Sequence, residues 1–413
     1  MDSSLESLES ATAASPAKPA NPGARLLPVD ALRGLVMIIM ALDHVRDFFH
    51  ADAMLFSPTD LSRTTPLLFF TRWITHYCLP VFMFAAGMGV YLYGRSRTKG
   101  QLSRFLWTRG LWFIALELTV MRLAYNFNFS LRFLILLLIL WIFGICMLTM
   151  AALVYLPMRW LAALSVAVIV LHNCLDGIRA QQFGSAARAW NLLHQPGVIP
   201  VAGKLALVTY TFLPWIGVIA AGFCFGRIFQ LEPEPRHRIM LKLGTAMTLA
   251  FIALRAVNHY GDPAPWTHQK SALFTVLSFL NCTKYPGSLD FLLMTLGPAL
   301  LVLAWFDRLA FKPANPLVVF GRVPMFYFIL HFYLIHALAV LAAWLRYGNS
   351  AAKFMFNPLP SMGGPRELFP ADFGYSLWTT YGVWLLVVLL LYPVCRWFAN
   401  VKSRRSDWWL SYL

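Results

Sequence analysis

Charged side chains are scarce in this chain: 13% of 413 residues, against roughly 25% in a soluble domain. That excludes an ordinary globular fold with a solvated surface. The six cysteines, at positions 78, 146, 174, 224, 282 and 395, show no CxxC spacing and mostly sit in apolar runs. Buried thiols are therefore expected, and a disulfide framework or thiolate metal site is not. HExxH, a close His/Cys set and a carboxylate cluster are all missing, so no bound metal is expected. The lack of GxSxG and GxxxxGK[ST] removes the serine-hydrolase elbow and the P-loop. The fragment GMGVYLYG at 87–94 is not a nucleotide fingerprint, because no strand precedes it and GxGxxG does not occur. No basic start followed by an apolar run marks a cleaved signal peptide. No convincing internal repeat supports an inverted-repeat transporter.

Apolar residues dominate instead, at 59%, with a mean hydropathy of +0.62. The chain reads as an all-α, polytopic membrane helix bundle of about ten spans, near 32–49, 67–93, 105–124, 132–156, 159–175, 207–230, 238–258, 289–306, 317–345 and 376–397. The first span has a short apolar centre, Gly34 to Leu42, and should pack inside the bundle rather than face lipid. Lysine and arginine number 34 against 18 acidic residues, a net +16. In a soluble protein this would suggest nucleic acid. Here the cations alternate between loops, with Arg95, Arg97, Lys99 and Arg104, then Arg159, then Arg227, Arg236, Arg238 and Lys242, then Arg308 and Lys312 on one side. The positive-inside rule places that side and both termini in the cytoplasm, with membrane lipid as partner and no nucleic acid. Three regions follow: a disordered cytoplasmic tail over 1–28, a transmembrane domain over 29–400, and a basic, aromatic cytoplasmic tail over 401–413.

The most telling stretch is LRGLVMIIMALDHVRDFF at 32–49. Arg33 is followed after ten residues by His44, flanked by Asp43 and Asp47, with His50 just beyond. Ionisable groups at membrane depth are costly and usually mark a pathway or reaction centre. At ~1.5 Å per residue His44 lies about 16 Å beyond Arg33, roughly half of a ~30 Å hydrocarbon layer. An imidazole oriented by a carboxylate one turn away suits a general base. The alternative is an outer-interface cluster in which His44 and its acids are solvated and pair with Arg46. Arg72 and His76 on the second span either line the same cavity or cap the helix. Gly87 and Gly89 suggest close helix packing.

The dense basic loop around Arg104, with Arg109, reads as a topology signal with anionic lipid contact or as a phosphate clamp for a cytosolic polyanionic donor. Arg109 and Glu117 could pair. On the outer side, His172, Asn173 and Asp176, then Asn258, His259, Tyr260 and Asp262, then Asn281, Thr283, Lys284 and Tyr285 mix aromatic and hydrogen-bonding groups. That suits a polyol, or ordinary caps and aromatic belts. Arg322 before Pro324 suggests a kinked inner helix end lining a cavity. His331 and His336 lie about 140° apart round a helix, so at most one faces any given site.

The opening RLLPVDALRGLVMIIMALDHVRDFF resembles the start of the heparan-α-glucosaminide N-acetyltransferase catalytic-domain family in its bacterial branch, within the wider transmembrane acyltransferases that share Arg-x10-His here. Later stretches are similar too: HNCLDG at 172–177, LPWIGVIAAGFCFGR at 213–227, NHYGDPAPW at 258–266, FLNCTKYPGSLDFLLMTLGP at 279–298, FGRVPMFYFILH at 320–331 and the terminal RSDWWLSYL. The resemblance thus covers nearly everything after residue 25. It implies an acyl-CoA-dependent transferase of a bacterial inner membrane that moves an acetyl group from cytosolic acetyl-CoA to an amine or hydroxyl of an extracytoplasmic saccharide. In the lysosomal members an asparagine matches His44 and the functional histidine follows the first span, where this chain offers His50.

The expected roles are His44 as base or acyl carrier, oriented by Asp43 or Asp47, with His50 second. Arg33, Arg104, Arg109 and Arg322 would hold the donor's phosphates. Lys284, Tyr285, Asn258 and Asp262 would contact the acceptor. A homo-oligomer is compatible with this. The rival from another class is a proton-coupled transporter or flippase for an envelope glycan or other polar solute.

Overall fold

The computed structural model describes residues 26–130, 133–405 and 407–412. Most of the tail expected over 1–28 therefore lies outside the described residues, and the first helix already begins at Leu27.

Helix α1, Leu27–Phe49, is the central column, with 15 of its 23 residues buried. Its five charged residues (Asp30, Arg33, Asp43, Arg46 and Asp47) would be costly in lipid, and the fold keeps this helix among its neighbours. Around it follow α2 (Pro66–Thr75), α3 (Cys78–Gly94), α4 (Lys99–Leu116), α5 (Arg122–Asn126), α6 (Ile139–Leu153), α7 (Met158–Leu171) and the short α8 (Ala187–Leu193). Then come α9 (Phe212–Phe225), α10 (Pro233–Val257), α11 (Ala272–Leu280), α12 (Leu289–Asp307), α13 (Pro316–Arg322), α14 (Pro324–Tyr347) and α15 (Leu377–Arg404). All ten segments expected to span are largely helical. Among the described residues, seven helical stretches are long and apolar enough to cross a membrane by themselves. Helices α1 and α4 carry too many charges for that, and α6 is too short. Helices α7 and α10 turn Trp160, Leu164, Val166, Leu249, Ile252 and Val257 outward, as a lipid-facing surface would.

Glycines set how closely the helices cross. A Cβ at Gly34 would sit 1.8 Å from the Leu317 carbonyl oxygen, and one at Gly321 1.7 Å from that of Asp30, so α1 and α13 meet backbone to backbone. Gly87 and Gly222 do the same for α3 and α9, each 2.1 Å from a carbonyl of the other helix. Small residues allow this approach where no hydrophobic effect drives helices together. Gly89, expected on the same packing face, instead leaves room for the Arg33 guanidinium, 3.2 Å from where its Cβ would be.

Three strands depart from the all-α expectation. β1 (Ile135–Leu137) pairs in parallel with β3 (Lys204–Val208), which forms an antiparallel hairpin with β2 (Gly197–Val201). The hairpin turns through Ala202 and Gly203 with φ of 48° and 73°, the left-handed pair that a tight two-residue turn requires. The spans expected at 132–156 and 207–230 therefore begin later, at Ile139 and Phe212. A short apolar run such as Ile135-Leu136-Leu137 has no periodicity that separates strand from helix.

Several helices break near the centre. α2 and α3 are separated at His76 and Tyr77, a π-turn over Glu117–Met121 joins α4 to α5, and Val323 separates α13 from α14. Arg322 and Pro324 thus stand at the expected discontinuity. Glu117 does not turn to Arg109. Its Oε2 accepts the N–H groups of Leu140 and Trp141 at 2.7 and 3.2 Å, and its Oε1 accepts the Tyr125 hydroxyl. A buried carboxylate from one helix thereby satisfies the free amides that begin α6.

Candidate active site

Two cavities meet at His44. The first, of about 360 Å³, runs between α1, α3, α4, α6 and α14 toward the end of the bundle that carries Arg33, Tyr93, Phe105, Arg109 and Lys402. Most of its wall is apolar, from Met37 and Met40 through Phe82, Phe113 and Phe143. The second, of about 530 Å³, lies on the opposite side, bounded by Arg46, Asp47, Arg72, Tyr125, Thr209, Tyr285 and Ser361. The loops 53–58 and 360–363 and residues of the small sheet complete its wall. Asp43, His44, Ile139 and Tyr210 line both.

The imidazole of His44 is held by aromatic neighbours, with Phe332 at 4.1 Å and His331 at 5.2 Å between ring centroids. Its Nδ1 lies 4.0 Å from Asp47 Oδ2, beyond a direct hydrogen bond, and the other oxygen of Asp47 accepts from Arg46 at 2.6 Å. Nε2 is buried and has no hydrogen-bond partner among the described residues. Asp43, the other expected orienting acid, is occupied elsewhere: Arg46 reaches it at 2.9 Å from the same helix, and Arg72 bonds it from α2. Arg72 also donates to the Tyr285 hydroxyl at 3.3 Å, and Tyr285 meets Tyr210 at 3.4 Å. Arg72 therefore belongs to the cavity wall, whereas His76 is fully enclosed against Phe291.

Arg33 lines the first cavity, anchored to Asp30 at 3.1 Å and to the Ala85 carbonyl at 3.2 Å. Arg109 lines it too, over the rings of Phe105 and Phe113. Arg104 is exposed on α4 and Arg322 is half-buried at the end of α13; neither lines either cavity. His50 ends α1, its backbone bridged to Tyr375, and it also stands outside both cavities. His331 lies against His44, whereas His336 is stacked on Phe127 with its two ring nitrogens on the carbonyls of Ala124 and Met355. His331 thus touches His44 without lining either cavity, and His336 points elsewhere.

Lys284 lines the first cavity and Tyr285 the second, both carried on a turn that dips into the bundle between α11 and α12. Asn258 and Asp262 lie away from both. Asn258 closes α10 at φ 57° and exchanges hydrogen bonds with the Trp266 backbone. Asp262 accepts the Thr283 amide and hydroxyl and the Ser288 hydroxyl, at 2.6 to 2.8 Å. Asn173 and His172 likewise bind the backbone at Leu289 and Gly287. Much of the outer polar set is thus spent on architecture, because every buried polar group needs a partner. The signal for Tyr210 was weak in sequence: a lone tyrosine between a strand and a helix.

A helix bundle with apolar outward faces and an imidazole between two internal cavities defines a membrane-embedded protein with a polar reaction or transport chamber. Residues 25–260 match the catalytic family of heparan-alpha-glucosaminide N-acetyltransferase, and the chain belongs to that family. Comparison with curated proteins finds no match. Among the described residues, no group of three or more His, Cys, Asp or Glu side chains is placed to hold a metal ion.

Proposed function

We propose that this chain is an integral-membrane acetyltransferase that moves an acetyl group from cytosolic acetyl-CoA to an amine or hydroxyl of an extracytoplasmic saccharide. The observation that carries this reading is the position of His44, among the described residues the one imidazole lining both cavities. The mostly apolar first cavity suits a pantetheine arm, and Arg33, Arg109 and Lys402 at its far end suit phosphates. Bound there, acetyl-CoA would supply an activated thioester. The second cavity, with its tyrosines, Thr209 and Ser361, suits a hydroxyl-rich acceptor. Nε2 of His44 takes the proton from the acceptor as its oxygen or nitrogen bonds the acetyl carbon. The C–S bond then breaks and the proton passes to the departing thiolate. In the covalent variant Nε2 carries the acetyl group between the two cavities. Asp47 is the carboxylate placed to steady the ring.

The reading includes ten membrane passes with both termini cytoplasmic, a basic C-terminal tail over 401–413, and a bacterial inner membrane. An assembly of several copies is compatible with it. A proton-coupled carrier could also use a chamber bounded from two sides, and CoA separates the two. Purified protein should be thermally stabilised by CoA, and His44→Ala should keep that stabilisation while losing acetyl transfer. Transfer by the variant at near wild-type rate would reject the role of His44. Absence of any CoA stabilisation in the wild type would reject the enzyme.

A further inference from the structure

The turn carrying Lys284 is unusually well fixed. The Ser288 amide donates to the Thr283 carbonyl at 3.0 Å, and Lys284 pairs with Gly287 across the turn. Asp262 grips Thr283 and Ser288 at its two ends. His172 Nε2 lies 3.0 Å from the Gly287 carbonyl oxygen, and Gly287 sits so close to the enclosed ring of Trp215 that a Cβ would approach it to 3.2 Å. Asn281 donates to the Thr59 carbonyl at 3.1 Å. A loop anchored at this many points holds its two inward residues in one place.

Lys284 is only 9% exposed, yet among the described residues no carboxylate lies within 4.0 Å of its ammonium and no hydrogen bond reaches it. The other cations near His44 are committed. Arg46 holds Asp43 and Asp47, and Arg72 holds Asp43 and Tyr285. The Tyr285 ring stands beside it, its centroid 5.3 Å from Nζ. The Asp43 carboxylate is within electrostatic reach of Lys284 but is already paired with two arginines, and active sites retain buried cations where negative charge develops during reaction. Lys284 shares with His44 the first cavity, the one proposed for the donor.

We infer that Lys284 is the oxyanion-stabilising cation of the transfer, not a contact to the acceptor. This rests on the acetyltransferase reading and assigns a further catalytic residue to it. When the acceptor's oxygen or nitrogen bonds the thioester carbon, the carbonyl π electrons move to oxygen, and that oxyanion is stabilised by the Lys284 ammonium. The acceptor proton goes to His44 Nε2. On collapse the C=O bond reforms, the C–S bond breaks, and the thiolate takes the proton from His44. Asp262 is a positioning residue for the Lys284 turn.

The test uses the full chain in lipid nanodiscs, with acetyl-CoA as donor and free glucosamine or water as acceptor. Lys284→Met should lower turnover at saturating acetyl-CoA by roughly 100-fold, as loss of one oxyanion-hole donor does. The shift in melting temperature produced by CoA should stay as in the wild type, and Lys284→Arg should recover part of the rate. Unchanged turnover in Lys284→Met, or a loss confined to donor affinity, would overturn the assignment. If Lys284→Met does not fold, Lys284→Arg decides: a lowered kcat at unchanged donor KM supports it and a wild-type kcat overturns it. CoA stabilisation of a wild type that never turns over would overturn both this inference and the enzyme reading.

Discussion

Arg72 on α2 bonds the carboxylate of Asp43 on α1, across an interface buried inside the bundle. Arg46 completes the cluster from the other side at 2.9 Å. Breaking a buried ion pair outright costs about 3 kcal/mol or more, and removing Arg72 leaves Asp43 with Arg46 as its remaining ion-pair partner. Arg72→Met should therefore lower the melting temperature clearly, while the double variant Asp43→Asn with Arg72→Met should lose less than the sum of the two single changes. Thermal unfolding of the four proteins of this cycle measures the coupling, and strict additivity would contradict it.

Arg109 lines the far end of the first cavity, where the phosphates of the proposed donor would sit. A contact made equally in the ground and transition states changes KM and leaves kcat alone. Arg109→Gln is expected to raise the KM for acetyl-CoA about tenfold, with kcat within about twofold of wild type. Steady-state kinetics over a range of donor concentrations checks this. A fall in kcat at unchanged KM would move Arg109 away from donor binding.

Asn258 is expected to behave as architecture. Its left-handed backbone, with φ of 57°, is tolerated by asparagine better than by alanine, and its side chain makes two hydrogen bonds to Trp266. Asn258→Ala should cost about 2 kcal/mol of stability, from the strained conformation and the lost bonds. Acceptor KM should stay at the wild-type value. A raised acceptor KM without any change in melting temperature would return Asn258 to the substrate.

Helix positions were largely readable in advance, and the reasons are visible at particular residues. Long apolar runs broken by prolines and basic loops report on a one-dimensional property, depth in a slab, which neighbouring residues share. The central place of α1 followed from its short apolar centre. The strand at 135–137 was not legible because its partner lies about seventy residues away, and the local hairpin at 197–208 was hidden because GVIPV and KLALV are mostly apolar and show no period of two. The outer polar clusters left a sugar site and ordinary helix caps both open for a related reason. Asn258 and Asp262 have the right chemistry for a sugar, but only their partners reveal that backbone amides and hydroxyls already occupy them.

By itself the sequence determined that this chain is a helical membrane protein, that the charges of α1 had to be enclosed, and that Arg33 and His44 stand far apart on one helix. Hydropathy and helical rise are local quantities, so composition and spacing suffice for them. Only the tertiary structure decided that Asp43 is engaged by two arginines, that His331 and not His336 packs against His44, and that Lys284 lies in the first cavity. Those outcomes depend on which distant side chains arrive first at a given polar atom, and that competition is settled by packing in three dimensions.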